Sequence, residues 1–287
     1  TLSDLDEAYP NNILDYFHKL KTPKILDLNQ GTHATAEVSG LIWGQNYSFD
    51  RMQSWFDYWL KGEPQTNLVF NQISMQTDLE HKREFHSVDS FNSSHNIRFH
   101  LHPRGYVLNG KLKTEKFEIE DIDTIYSGMD SRATSGVPLL SAIIDGHFRV
   151  PVFHSIPWIQ RANGVYYRSE KVDSTLKIRG IPKLRITTSS EGEHYQIVAY
   201  LYDRNRLGLS KLITHGTATS IHHKGEKEVF EIDLVATAYD LKPGHSLVLA
   251  LDTQDLLYAR PLHLVPYKTT IHFSDSDENI FSVPVSP

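Results

Sequence analysis

Two residues near the start of the sequence, Asp4 and His33, have the types and the spacing of an acid–base pair. One predicted helix and one predicted strand lie between them. In an α/β-hydrolase the catalytic acid follows one strand and the catalytic histidine follows the next, so the fold brings them together. The acid would orient the imidazole, and the imidazole would take the proton from a serine. Spacing alone leaves open that Asp4 begins a helix and that His33 is an ordinary loop residue, and Asp6 is a rival for the acid.

A serine nucleophile for this pair is not evident. The order in α/β-hydrolases is serine, acid, histidine, and only Ser3 precedes Asp4. Ser3 cannot occupy a turn between a strand and a helix, and the sequence contains no Gly-x-Ser-x-Gly. The nearest approach, Gly244-His245-Ser246, has Val248 in place of the final glycine. We therefore expect the serine to belong to a missing amino-terminal catalytic segment, and this chain to carry only the acid and the base.

Composition excludes several classes of function. The chain has 0 cysteines, which excludes disulfides and thiol nucleophiles and fits a cytoplasmic protein. The formal net charge is −6 and the basic residues are scattered along the sequence, so we expect no nucleic acid partner. No apolar run approaches the ~18 residues that span a bilayer, and residues 1–7 lack the features of a signal peptide. We therefore expect no membrane partner.

The 16 histidines raise the question of a metal site. His100 and His102 share one face of a predicted strand, but Gly105 and Tyr106 stand where a cupin would have its glutamate. His222 and His223 lie beside a predicted turn. We therefore expect no metal ligands.

The first 62 residues have the pattern of the end of a doubly wound α/β domain. Residues 13–20 form a helical stripe, and residues 25–28 form a short apolar strand typical of a buried parallel sheet. A second helix is predicted to begin at Ser48 as its N-cap and to end at Gly62. Its predicted apolar face consists of Phe49, Met52, Phe56, Trp59 and Leu60. We assign residues 1–62 to the C-terminal part of an α/β-hydrolase catalytic domain.

After residue 62 the hydrophobic period changes to two, which indicates strands. Candidate strands are residues 68–75, 97–102, 164–169, 175–178, 184–188, 195–202, 212–219, 229–234, 246–251 and 269–273. Many short strands separated by turn signals are typical of an antiparallel sandwich. We therefore predict an all-β jelly-roll domain, similar to galactose-binding domains, over residues 63–287, with an irregular insertion over residues 111–163.

Several of these segments resemble the X-Pro dipeptidyl-peptidases and the related cocaine-esterase-type acyl hydrolases. Leu2-Ser3-Asp4 is similar to the acid loop of that group, usually Gly-Leu-x-Asp, with Thr1 in place of the glycine. Gln30-Gly31-Thr32-His33 is similar to the Gln-Gly-x-His of the peptidase branch, and residues 55–62 are similar to the helix that closes the hydrolase domain. Residues 165–170, 178–182, 198–203 and 241–245 are similar to successive segments of the jelly-roll domain.

The resemblance implies a serine hydrolase with a Ser-Asp-His triad and no cofactor, in which Asp4 is the acid and His33 is the base. In the peptidase branch it implies release of X-Pro dipeptides from peptide amino termini by a cytoplasmic homodimer. In the acyl hydrolase branch it implies ester substrates. The alternative is a non-catalytic, lectin-like jelly-roll binding module with an α/β remnant. That alternative requires a sheet face lined by exposed aromatic residues.

Overall fold

The chain divides into two units, residues Thr1–Ser94 with Pro138–Pro151 and residues His95–Val137 with Val152–Pro287. The structure is a computed structural model. It describes residues 10–29, 46–77, 82–87, 95–105, 109–127, 131, 133, 153–154, 161–221, 224–255, 258 and 266–286. Within these residues, no helix has the length and apolar character needed to cross a bilayer.

The first unit combines two helices with a three-stranded sheet. Its elements are α1 (Pro10–Lys19), β1 (Ile25–Leu28), α2 (Tyr47–Phe56) with a π-helical turn (Asp57–Lys61), β2 (Gln72–Gln76) and β3 (Arg83–Ser87). The strand order is β1-β2-β3, with β1 parallel to β2 and β3 antiparallel to β2. Both helices and β1 occur where the hydrophobic pattern predicts them.

The second helix differs from the prediction at its start and on its surface. Asn46, rather than Ser48, is the N-cap, and its side-chain oxygen accepts a hydrogen bond from Phe49 N at 2.9 Å. The helical segment ends at Gly62 in the left-handed conformation, as predicted, with φ 71°. Most of the predicted apolar face is exposed: Met52 is 41%, Phe56 55%, Trp59 48% and Leu60 78% exposed. We call these four side chains, which lie on α2 and on the π-helical turn that follows it, the exposed stripe of α2.

The strand predicted over residues 68–75 belongs to the first unit rather than to the sandwich. Its observed part, β2, pairs in parallel with β1, from Ile25 opposite Gln72 to Leu28 opposite Met75. The assignment to the sandwich was wrong because a short apolar run does not reveal which sheet will bury it. The expected domain boundary near residue 62 therefore lies within the first unit.

The second unit is built almost entirely of strands. They are β4 (His95–His102), β5 (Gly110–Lys113), β6 (Asp121–Tyr126), β7 (Phe153–His154), β8 (Gly164–Lys171), β9 (Leu176–Gly180), β10 (Lys183–Ser190), β11 (Tyr195–Arg204), β12 (Ser210–Ser220), β13 (Glu228–Asp233), β14 (Thr237–Leu241), β15 (Ser246–Asp252), β16 (Lys268–Phe273) and β17 (Ile280–Ser286). Within the described residues they form one branched sheet. Its main order is β6-β16-β10-β17-β4-β5-β8-β15-β11-β12-β7, with β13 on β10, and β9 joined to β14 and β17.

This architecture agrees with the predicted β-sandwich. All the strand pairs in the second unit are antiparallel except β5 with β8, as far as the structure describes them. Among the strands of the second unit, the pattern missed β5, β6, β7, β14 and β17. The first three lie largely within the stretch predicted to be irregular, so that part of the expectation was wrong. Strand β6 buries the acidic Asp123 and β17 contains Pro284, and both features count against a strand in a sequence pattern.

Strands β11 and β15 are buried on both faces along nearly their whole length. One face carries a cluster of buried side chains: Tyr166, Val198, Tyr200, Tyr202, Val248 and Ala250, with Ala133 and the partly buried Leu212 and Tyr258 packed against them. We call this side of β8, β15, β11 and β12 the tyrosine face. Ala133 and Tyr258 lie outside the strands, so segments between strands help to cover this face.

Polar side chains are also buried on the tyrosine face, and most have partners. The Tyr200 hydroxyl donates to Asp255 Oδ2 at 2.9 Å, and the Ser131 hydroxyl donates to Asp252. His215 lies opposite Tyr200 and its Nδ1 shares a hydrogen bond with the Tyr258 hydroxyl. Burial lowers the pKa of His215 to about 4, so the imidazole is neutral at pH 7.

His215 should make the protein less stable in mild acid. A histidine titrates near 6.5 in an unfolded chain, so its contribution to stability is present above pH 6.5 and is lost as the pH falls towards 4. We expect His215→Gln to remove about 2 kcal/mol of the decrease in unfolding free energy between pH 7 and pH 5. Urea denaturation at several pH values measures this. The exposed His95 supplies the control His95→Gln, and equal pH slopes in the two variants would contradict the prediction.

Candidate functional site

The predicted acid and base, Asp4 and His33, lie outside the described residues, as does Asp6. Their predicted contact therefore stays a prediction. The structure does describe β1, the strand that leads towards His33, as far as Asn29. The candidate site is this end of β1, together with the side chains that hold it in place.

Asp27 in β1 is the centre of a polar network. Its carboxylate accepts hydrogen bonds from the hydroxyls of Tyr47, at 2.9 Å, and Ser74. Arg51 Nε lies 3.3 Å from Oδ2, and Arg83 Nη1 lies 3.8 Å from Oδ1. These partners come from α2, β2 and β3. One carboxylate thus joins the helix to the three strands of the sheet.

Arg83 connects this network to the end of β1. Its guanidinium lies 3.6 Å from the centroid of the Tyr47 ring, and its Nη1 donates to Ser74 Oγ at 2.7 Å. Its Nη2 donates to the side-chain oxygen of Asn29. Burial lowers the pKa of Arg83, yet a guanidinium remains charged at neutral pH. Burial also raises the pKa of Tyr47, which keeps that hydroxyl a donor.

The buried polar side of α2 completes the site. Asn29 is buried and its Nδ2 donates to Ser48 Oγ at 3.5 Å. Further along the helix, Asn67 Nδ2 donates to Ser54 Oγ at 2.7 Å. The buried residues of this helix are therefore serines, whereas its exposed stripe is apolar. The end of β1 is held between Arg83 on one side and Ser48 on the other.

This arrangement can hold the end of β1 in position, but it is not suited to proton transfer. Four side chains already contact the Asp27 carboxylate, so its oxygens are occupied. The sequence signal for the network was a single aspartate in an apolar strand, Ile25-Leu26-Asp27-Leu28. Sequence reasoning missed it because Arg51, Ser74 and Arg83 are distant in the chain.

A second aspartate–histidine pair occurs in the sandwich. His245 Nδ1 lies 2.8 Å from Asp203 Oδ1, and the Tyr239 hydroxyl donates to Asp203 Oδ2 at 2.7 Å. A triad would also place a serine hydroxyl on the other imidazole nitrogen, and the described contacts of His245 include none. The pair joins β11, β14 and the turn before β15, so its role is structural.

Two alternatives from the sequence find no support in the described residues. No group of three potential metal ligands occurs there. His102 Nε2 instead lies 2.8 Å from the carbonyl oxygen of Glu115, and His222 and His223 lie outside the described residues. A carbohydrate platform would need exposed ring faces, but four aromatic residues of the sandwich strands are buried: Tyr195, Tyr200, Tyr202 and Phe230.

The Arg83 contacts predict a local change on substitution. Arg83→Gln removes the ring contact with Tyr47 and the guanidinium contact with Asp27, while Arg51 still neutralises the carboxylate. We therefore expect a loss of about 2 kcal/mol in local stability. Hydrogen exchange of the β1 and β2 amides should be about 30-fold faster. Arg185→Gln, at an exposed arginine of β10, is the control, and unchanged exchange in Arg83→Gln would contradict the assignment.

Solved structures share the fold of the chain. An aminopeptidase from the marine sediment archaeon Thaumarchaeota archaeon is 15% identical with a TM-score of 0.66, covering 84% of this chain and 44% of that one. A CocE/NonD family hydrolase from Staphylococcus aureus is 13% identical with a TM-score of 0.64, covering 94% and 55%. An α-amino acid ester hydrolase is 14% identical with a TM-score of 0.57, covering 82% and 44%. The chain thus spans about half the length of these structures, and no curated protein sequence matches it.

The comparison with families agrees with the resemblance read from the sequence. The family described as the X-Pro dipeptidyl-peptidase C-terminal non-catalytic domain matches residues 37–276, which is most of the chain. Asp4 and His33 both precede the matched residues. The chain therefore belongs to the family of X-Pro dipeptidyl-peptidase C-terminal non-catalytic domains.

Proposed function

We propose that the chain is the C-terminal part of a serine hydrolase that acts on peptide or ester acyl bonds, with Asp4 as its acid and His33 as its base. The observation that carries the proposal is the parallel pairing of β1 with β2. In open α/β sheets, ligand sites lie at the carboxyl ends of parallel strands. Since β1 runs towards His33, its carboxyl end is where an α/β-hydrolase would place its catalytic histidine.

The network at the end of β1 supports the same proposal. A catalytic imidazole must be held to within about 0.5 Å, which requires a rigid support. Arg83 and Ser48 fix Asn29, the last described residue before His33. In the proposed enzyme, this support limits the positions available to the loop that carries His33.

An upstream catalytic segment is the natural partner of the exposed stripe of α2. Apolar side chains that are 41–78% exposed and share one helical segment are characteristic of surfaces that contact another structure. The chain spans about half the length of the similar structures. We propose that the upstream segment covers this stripe and supplies the serine.

The proposed reaction is acyl transfer through the serine. Asp4 accepts a hydrogen bond from the Nδ1–H of His33 and stabilises the imidazolium, which forms when Nε2 takes the serine proton as the serine oxygen attacks the carbonyl. His33 then protonates the leaving amine or alcohol, and water releases the acyl group in a second, equivalent step. Resemblance to the peptidase branch favours X-Pro dipeptides as the released product and a cytoplasmic homodimer as the assembly.

Substitutions in the protein that contains this chain and its upstream segment test the triad. We expect His33→Ala to lower kcat by about 10⁴- to 10⁶-fold and Asp4→Asn by about 10⁴-fold, with an X-Pro chromogenic dipeptide or an aryl ester. His95→Ala and Asp6→Asn are the matched controls. A loss with Asp6→Asn but not with Asp4→Asn would move the acid by two residues. Full activity in His33→Ala would refute the proposal.

The 287-residue chain alone should be inactive. Without the serine and the backbone N–H beside it, both the nucleophile and part of the oxyanion hole are absent. We expect no turnover of either substrate and no labelling by a fluorophosphonate. Turnover that His33→Ala abolishes, together with a labelled serine of this chain, would show that the nucleophile lies within these residues.

A further inference from the structure

We propose that Arg168 and Arg204, at one end of the tyrosine face, form a binding site for an oxyanion, the carboxylate or phosphate group of a ligand. This site lies within the second unit and is independent of the proposed hydrolase activity. It rests on strand register, on the absence of ion pairs that other arginines have, and on a buried hydroxyl beside the two guanidinium groups.

Strand register places both arginines on the tyrosine face. Side chains two residues apart in a strand share a face, so Arg168 follows Tyr166 in β8 and Arg204 follows Tyr202 in β11. Strand β15 lies between these two strands. Its Val248, a member of the tyrosine face, lies opposite Arg168. The two guanidinium groups therefore flank β15 at the same end of the face.

Arg168 and Arg204 lack, within the described residues, the ion pairs that five other arginines form. Ion pairs to carboxylates are formed by Arg51, Arg83, Arg104, Arg179 and Arg185. Arg168 and Arg204 form none in the described part of the chain. Burial, followed by the positive charge of Arg168, lowers the pKa of Arg204. The two like charges thus destabilise each other, and an anion would relieve this.

Two serines lie on either side of Arg204. Ser210 in β12 and Ser246 in β15 are its cross-strand neighbours, and both are buried. Ser210 is 0% exposed and its Oγ has no hydrogen-bond partner among the described residues. Directly opposed residues point to the same side of a sheet, so this hydroxyl lies beside the Arg204 side chain. A buried unpartnered hydroxyl costs stability unless something supplies its hydrogen bond.

The hairpin turn between β11 and β12 holds Arg204 without neutralising it. Asn205 Oδ1 accepts from Leu207 N at 2.9 Å and from Leu209 N at 3.0 Å, which orders the turn. Gly208 has φ +87°, and a Cβ added there would lie 3.3 Å from Arg204 Nη2. The guanidinium therefore rests against the turn backbone.

The chemistry of these groups selects an oxyanion. A guanidinium presents paired N–H donors that match the geometry of carboxylate and phosphate oxygens, and a serine hydroxyl adds a further donor. Lys111, opposite Arg168 in β5, adds positive charge beside the site. The oxyanion can belong to a free ligand or to an acidic side chain of another part of the protein. The two arginines would bind either one through the same hydrogen bonds.

Titration with inorganic phosphate at constant ionic strength, followed by calorimetry or by the Arg Nε–H resonances, tests the site. We expect the purified chain to bind phosphate and Arg204→Gln to weaken binding by about tenfold or more. Arg168→Gln should also weaken binding. Because Arg168 is exposed, that variant tests the site without a burial defect. Arg98→Gln, at an exposed arginine of β4, is the control and should bind as the unmodified chain does.

The longer protein distinguishes the two sources of the oxyanion. If the longer protein also binds phosphate, and if this binding needs Arg204, the oxyanion belongs to a free ligand. Phosphate binding by the chain that disappears in the longer protein indicates that an acidic side chain already occupies the site. No binding by the chain, or binding that is equally strong in Arg204→Gln and Arg98→Gln, overturns the proposal.

Discussion

The burial of β11 and β15 on both faces is the constraint on which the second unit depends. A strand buried on both faces must be covered on both, and every polar group enclosed with it needs a partner. On the tyrosine face the cover includes Ala133 and Tyr258, which lie outside the strands. The hydroxyl of Tyr200 meets Asp255, and His215 meets Tyr258 as a neutral imidazole. A few buried atoms have no hydrogen-bond partner among the described residues, Ser210 Oγ and His215 Nε2 among them.

Charged side chains lie in different surroundings at two places in the structure. In the first unit, Asp27 is shared between Arg51 and Arg83, and hydroxyls occupy the remaining positions on the carboxylate. The polar groups there are used up in holding β1, α2, β2 and β3 together. At the end of the tyrosine face, Arg168 and Arg204 form no ion pair with the described residues. This contrast with the occupied carboxylate of Asp27 supports the proposal of an oxyanion site there.

The sequence predicted elements that depend on local pattern and missed features that depend on distant partners. The strands with long apolar or β-branched runs, such as β11 and β12, and the left-handed end at Gly62 are present as predicted. The location of β2 was missed because pairing partners are not encoded locally. The exposed stripe of α2 was read as a packing face because hydrophobic periodicity identifies an apolar side without showing what covers it. The basic side chains looked scattered for a related reason, since only register brings Arg168 and Arg204 onto one face. Asp4 and His33 were proposed from spacing and resemblance, and their contact stays a prediction.

The matched family is described as a non-catalytic domain. Residues of this chain that the family matches nevertheless contact β1, the strand that leads to the proposed base His33. The family match begins at residue 37, so it includes Arg51, Ser74 and Arg83 but neither Asp27 nor Asn29. The matched residues thus supply the donors to Asp27 and to the side-chain oxygen of Asn29, while Asn29 in turn donates to Ser48. If His33 is the catalytic base, part of its support comes from a region that carries no catalytic residue. Separating the two regions would leave Asp27 without its buried partners, because neither side of this network is complete alone.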